Sequence, residues 1–382
     1  NWQPLQLNLP TSPVRDLYVH AGDLAAATYG RGLWILDDLS PLRQLDERAT
    51  QRARLFRPLT AVRVRWDNWQ ETPLEPETPA GENPPDGAVI DYYLKSAARE
   101  VALEVRDSRG RVLRRFTNSP PASKELPANV PEYWFAPPEV LTAKQGLNRF
   151  VWNLRLSDPP ALPFGFRGGR LNYVEYTLPD NAVPGKTPRR QPPGPLVTPG
   201  DYELVLTVDG ETYRQPLTVI LDPRVRVSSA DLAAQLDLAS AIAEMMQSSY
   251  DSYNAVSSLR AALAERVKSL SSNTGAKDAA DAAALLDKEL EAIADGAGEV
   301  PGFGFVNRDL ARYMTMVESG DARPAESARG RVRDSCEALR AGLARWRGAN
   351  AGAAPALNVL LRKYGLAPLA VAAVAPDPRC VE

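Results

Sequence analysis

Gly22-Asp23-Leu24-Ala25-Ala26-Ala27-Thr28-Tyr29-Gly30-Arg31-Gly32-Leu33-Trp34-Ile35-Leu36-Asp37-Asp38 is the stretch on which the architecture of this chain turns. Leu24 to Thr28 and Leu33 to Leu36 are short apolar runs on either side of Gly30-Arg31-Gly32. Glycine tolerates the positive φ of a tight turn, so the segment reads as strand, turn, strand. Val14 to His20 adds a further strand, with Asp16 and Tyr18 alternating against Leu17 and Val19. Pro41 to Arg54 is polar and charged, and reads as a linker or short helix.

The string Thr28 to Asp38 resembles the last blade of sortilin-type and BNR-repeat β-propellers, where a "THGRGxWxLDD" pattern closes the propeller. Tyr29 stands where that pattern has His. Asn1-Trp2-Gln3-Pro4-Leu5 resembles the tail of an Asp-box without its Ser, Asp and first Gly. The resemblance implies that residues 1–54 are a propeller-blade remnant with a linker, and that the chain begins in the middle of a blade. A single blade cannot bury both faces of its sheet, since repeat architectures build a core only between neighbours. The cavity at a propeller's axis is then not encoded here.

The 382 residues suffice for two or three domains, and a hydrophobic content of 44% supports real cores. A net charge of −2 supplies no basic field of the kind nucleic acid requires. The longest apolar run, Leu366 to Ala375, is broken by Pro368 and too short to span a bilayer. Cys336 and Cys380 are compatible with one disulfide or with two free thiols, and their number does not decide between them. The propeller resemblance implies an exported, periplasmic or otherwise extracytoplasmic protein, which favours the disulfide.

Residues 55–222 read as an immunoglobulin- or fibronectin-like β-sandwich. Leu55-Phe56, Val62 to Arg65, Val89 to Leu94, Val101 to Arg106 and Val112 to Phe116 are strand candidates, with a turn at Asp107-Ser108-Arg109-Gly110. Asn148 to Leu156 alternates, placing Phe150, Trp152 and Leu154 on one face. Tyr202 to Val208 turns at Asp209-Gly210 and returns through Thr212 to Leu221. The strings GLNRFVWNLR and TPGDYELVLTVDG resemble the sandwich that follows the propeller in bacterial BNR proteins. Two long Pro-rich loops, Trp66 to Gly87 and Ser157 to Gly200, interrupt this domain.

Residues 223–382 change to alanine, leucine and charge, and read as an α-helical bundle. Ser228 or Ser229 can cap a long helix with Asp231 in its first turn. Its inward residues recur at three- and four-residue spacing: Leu232, Leu236, Ala239, Ala243, Met246, Tyr250, Tyr253, Val256, Leu259, Leu263, Val267 and Leu270. Leu285 to Ile293, Val306 to Val317, a helix opened by Pro324 and Pro355 to Tyr364 follow. Val332, Cys336, Leu339, Leu343 and Trp346 face inward on the fourth. The fold class is thus multidomain β plus α. The C-terminal string ALNVLLRKYGLAPL also resembles the end of BNR proteins.

No catalytic, cofactor-binding or metal constellation is legible. Asp37 and Asp38 are adjacent, so a strand would point them to opposite faces, and a turn that satisfies backbone donors is the favoured reading. Glycoside hydrolysis needs two carboxyl groups flanking one bond. His20 is the only histidine, which excludes a multi-His metal site. Gly165-Phe166-Arg167-Gly168-Gly169 does not join a strand to a helix and is poor support for phosphate binding.

Surfaces are the better candidates. Phe164, Phe166, Arg167, Arg170, Tyr173 and Tyr176 lie on the Ser157–Gly200 loop and are residue types enriched at interface hot spots. A loop folding back over its own sandwich or over a propeller is the equal alternative. Arg329, Arg331, Arg333, Arg340, Arg345 and Arg347 form a basic helix surface, solvated or facing an acidic protein. The expected function is a non-catalytic extracytoplasmic interaction module. It would be an accessory or structural subunit docking on a protein partner, such as the exposed face of a membrane complex. The alternatives are the C-terminal accessory region of a BNR-type glycoside hydrolase or sialidase-like enzyme, and glycan binding through Trp66, Trp69 or Trp134.

Overall fold

The computed structural model describes residues 5, 7–45, 51–65, 77–78, 84–119, 139–162, 192–271, 275–370 and 373–381. The chain is mixed β plus α, and its described residues form three sheets followed by a C-terminal helical region.

The first sheet is an antiparallel meander of β1 (Val14–His20), β2 (Asp23–Thr28) and β3 (Leu33–Leu36). Gly30 and Gly32 both take positive φ, and open space surrounds each. Backbone conformation, not crowding, therefore calls for glycine there. Both the amide and the hydroxyl of Thr28 donate to Gly32 O, closing the turn. At the exit of β3, the Asp38 amide donates to Asp23 Oδ1, and Asp38 Oδ1 accepts the amide of Ser40. That bond starts the short helix α1 (Ser40–Gln44), where sequence allowed a linker or short helix.

Two further sheets share one core. One is β4 (Ala53–Leu55), β6 (Ala88–Leu94) and β9 (Gly146–Trp152), ordered β4-β6-β9. The other comprises β5 (Ala61–Arg63), β7 (Val101–Arg106), β8 (Val112–Thr117), β10 (Gly200–Val208) and β11 (Glu211–Leu221), ordered β5-β11-β10-β7-β8. All their pairings are antiparallel except β11 with β5. Ile90, Tyr92, Phe150 and Trp152 of the first meet Leu103, Val105, Leu204 and Leu206 of the second. Trp152 meets Tyr202 edge-on at 5.9 Å. The Tyr202 hydroxyl donates to Thr198 O, four residues back.

The helical region holds α2 (Ser229–Ser271), α3 (Lys277–Ala294), α4 (Phe303–Val317), α5 (Glu326–Ala351) and α6 (Ala353–Lys363). Ser228 caps α2, accepting the Asp231 amide on its hydroxyl. Val332, Cys336, Leu339, Leu343 and Trp346 are all fully buried. Three details differ from the sequence reading. Pro324 precedes α5 rather than opening it, because Ala325 is the extended N-cap residue. Leu238, Ile242 and Met245 are buried where Leu236 is only half so, because α2 packs against α3, α4 and α5 at once and needs a wide apolar face. Val267, near the end of α2, is exposed.

Candidate functional site

Among the described residues, no group of three or more His, Cys, Asp or Glu is placed to hold a metal ion. His20 ends β1 at the surface, its ring stacked 6.2 Å from that of Tyr18. The Asp38 carboxylate is used by the turn described above. Three features remain that carry physical consequences: an uncovered sheet, a buried charge cluster and a tethered C-terminal tail.

The β1–β2–β3 sheet exposes apolar side chains on both faces. Cross-strand register puts Tyr18, Ala25 and Ile35 on one face, with Leu33 two residues along. Leu17, Ala26 and Trp34 share the other face with Val19, Leu24 and Leu36. Leu33 is 79% exposed, Tyr18 65%, Ile35 64% and Leu17 58%. Isolated exposed apolar residues are ordinary, but a contiguous set marks an interaction surface. Arg149 of β9 fastens this sheet to the sheet pair. It donates to Asp91 and to the carbonyls of Asp37 and Asp38.

The charge cluster lies where the sheets meet the helices. Arg63 ends β5, Arg65 follows it, and Arg155 follows β9. They face Glu318 and Asp321, in the turn after α4. Arg63 is 1% exposed, and its Nη1 lies 2.7 Å from Asp321 Oδ1. The Asp321 contact is an ion pair made through Nη1, while Arg63 Nε has no hydrogen-bond partner. Arg155 Nη1 donates to Glu318 Oε2 at 2.9 Å. Burial pushes the Arg63 guanidinium below its ordinary value, and Arg65 adds to that, while Asp321 and Glu318 oppose it. Three guanidiniums thus face two carboxylates. The partial negative charge at the C-terminus of α4 offsets part of the excess. Arg65 Nη1 also donates to Glu318 O, and Gln235 Nε2 of α2 donates to Val317 O and Gly320 O.

Cys336 of α5 and Cys380 of the tail form a disulfide, with Cα atoms 5.6 Å apart. Arg340 donates twice to Pro378 O, and Arg347 pairs with Asp377. Two of the six arginines on the α5 surface therefore bind the chain's own tail. Arg331 and Arg333 pair with Asp334 and Glu326.

The loop residues Phe164, Phe166, Arg167, Arg170, Tyr173 and Tyr176 lie outside the described residues, as do Trp66, Trp69 and Trp134. Sequence reasoning missed the charge cluster. Its one signal is Ala61-Val62-Arg63, where the strand's alternation places Arg63 inward beside Ala61 and Val62 outward. Compared with known protein families, curated proteins and solved structures, the chain matches none.

Proposed function

We propose that this chain is a non-catalytic, extracytoplasmic interaction module, an accessory subunit that docks on a larger protein assembly, such as the outer face of a membrane complex. The observation that carries the reading is the β1–β2–β3 sheet, whose two faces both expose large apolar residues. Such surface is covered in a working assembly, because leaving it in water forgoes about 25 cal/mol per Å².

In this reading the meander is a blade of a sortilin-type or BNR-repeat propeller, and its faces meet neighbouring blades or a partner. The sheet pair is an immunoglobulin-like sandwich. Its two strand orders, the parallel β5–β11 edge and the Tyr202 hydroxyl bonded four residues upstream support that assignment. The disulfide supports export to an oxidising compartment. No described helix is long and apolar enough to cross a membrane.

The test replaces Tyr18, Leu33 and Ile35 together by aspartate. All three are exposed, so thermal stability of the isolated chain is expected to hold within a few degrees. Incorporation into the native assembly is expected to fall at least tenfold. Full incorporation of a folded triple variant would overturn the reading.

A further inference from the structure

We propose that a desolvated ion latch locks the helical region onto the sheets as one rigid body, with the turn after α4 as its bolt. Modules within one chain move relative to each other unless something extensive holds them. Here two ties do so together. In the first, Glu318 and Asp321 project from the helical side between Arg63, Arg65 and Arg155 of the sheet side, and both carboxylates are 4% exposed. Arg65 and Gln235 also bind the last carbonyl of α4 and two carbonyls of the turn after it, so the bolt is held by its backbone as well as by its charges.

The second tie is Asn307, a fully buried residue of α4. Its Oδ1 accepts the Leu162 amide at 2.8 Å, and its Nδ2 donates to Pro160 O, Met246 O and Ser249 Oγ. One amide thereby sets α4 against both α2 and the chain leaving β9. Ala161 packs against the helical core at the same place. The segment from Asp222 to Ser228 joins β11 to α2.

The latch is all-or-none. Removing the Asp321 carboxylate takes from buried Arg63 the counter-charge in contact with it, which costs far more than losing an exposed pair. Buried pairs are also screened little by salt, so the lock persists at ionic strengths that weaken exposed contacts such as Arg214–Glu203. A displacement of the helices is therefore passed to the sheets instead of being absorbed between them.

Hydrogen exchange and small-angle scattering of the full, disulfide-intact chain test this with Asp321→Asn. Amide exchange at Leu162 and at residues 317–321 is expected to quicken on the order of a hundredfold. The radius of gyration is expected to grow, while Leu204–Leu206 in β10 and Leu238–Ile242 in α2 keep their protection. Unchanged exchange at the junction, or equal acceleration throughout both cores, would overturn the proposal. If Asp321→Asn does not fold, Glu318→Gln retains the Arg63–Asp321 pair and is judged by the same two readouts.

Discussion

Arg149 grips Asp91 with two prongs, Nε 2.9 Å from Oδ1 and Nη2 3.0 Å from Oδ2, while the same guanidinium holds the end of the first sheet. Burial raises the Asp91 pKa above its ordinary value, against the pull of Arg149. Burial also lowers that of Arg149, but its bonds to Asp91, with the charges of Asp38 and Asp37 beside it, more than offset this. Arg149→Met is expected to destabilise the protein by roughly 3 kcal/mol at neutral pH, since it strands a buried carboxylate. A raised carboxyl pKa means that the folded state binds the proton more readily than the unfolded state. The penalty therefore shrinks as the pH falls toward 4, where Asp91 can take up a proton. Urea unfolding of both proteins at pH 7 and pH 4 measures it.

The disulfide closes a segment with a sequence separation of 44. Chain-entropy reasoning puts its contribution at about 4 kcal/mol. Replacing Cys336 and Cys380 by alanine, or adding a dithiol reductant, is expected to lower the melting temperature by several degrees. Protease sensitivity should then rise at residues 373–381, whose Val374, Ala375 and Val381 pack on the helical core. Calorimetry with and without reductant gives the first readout, and mass spectrometry of the cleavage products gives the second.

Tyr202→Phe removes only the hydroxyl that donates to Thr198 O. A loss of about 1–2 kcal/mol is expected, because a part-buried carbonyl is left without its donor. The aromatic contact with Trp152 survives, so the fold and its near-ultraviolet signal should not change.

Asp222 binds the Arg224 side chain and amide, which hold its carboxyl down at about 2, below its ordinary 3.8. A depressed pKa contributes stability that is present above 3.8 and is lost as the pH falls through 2. Asp222→Asn is thus expected to lower the urea midpoint at pH 7 and to match the parent protein below pH 2. A constant difference across that range would mean that the carboxylate's charge is not what matters.

The elements were legible where burial follows side-chain type. The strand candidates from Val89 to Phe116 match β6, β7 and β8 to within about one residue at each end, and the inward face of α5 is the one its spacing implied. The junction was not legible. Arg63, Glu318 and Asp321 are charges that sequence assigns to solvent, and only partners distant in sequence make their burial tolerable. Gln235 and Asn307 were hidden for the same reason, being polar residues inside otherwise apolar helical stripes. Of the surface candidates, the α5 arginines proved partly occupied by the tail, which no periodicity of α5 itself could reveal. The first sheet was readable from its glycine turn, yet its exposure on both faces is a property of what surrounds it.

Whether the first sheet is a docking surface is read by hydroxyl-radical footprinting of the chain, first isolated and then in its native assembly prepared in mild detergent. Tyr18, Leu33 and Ile35 are expected to be strongly protected in the assembly relative to the isolated chain, with Leu285, exposed on α3, unchanged as a reference. Equal labelling of those three residues in both preparations would contradict a docking role for the sheet.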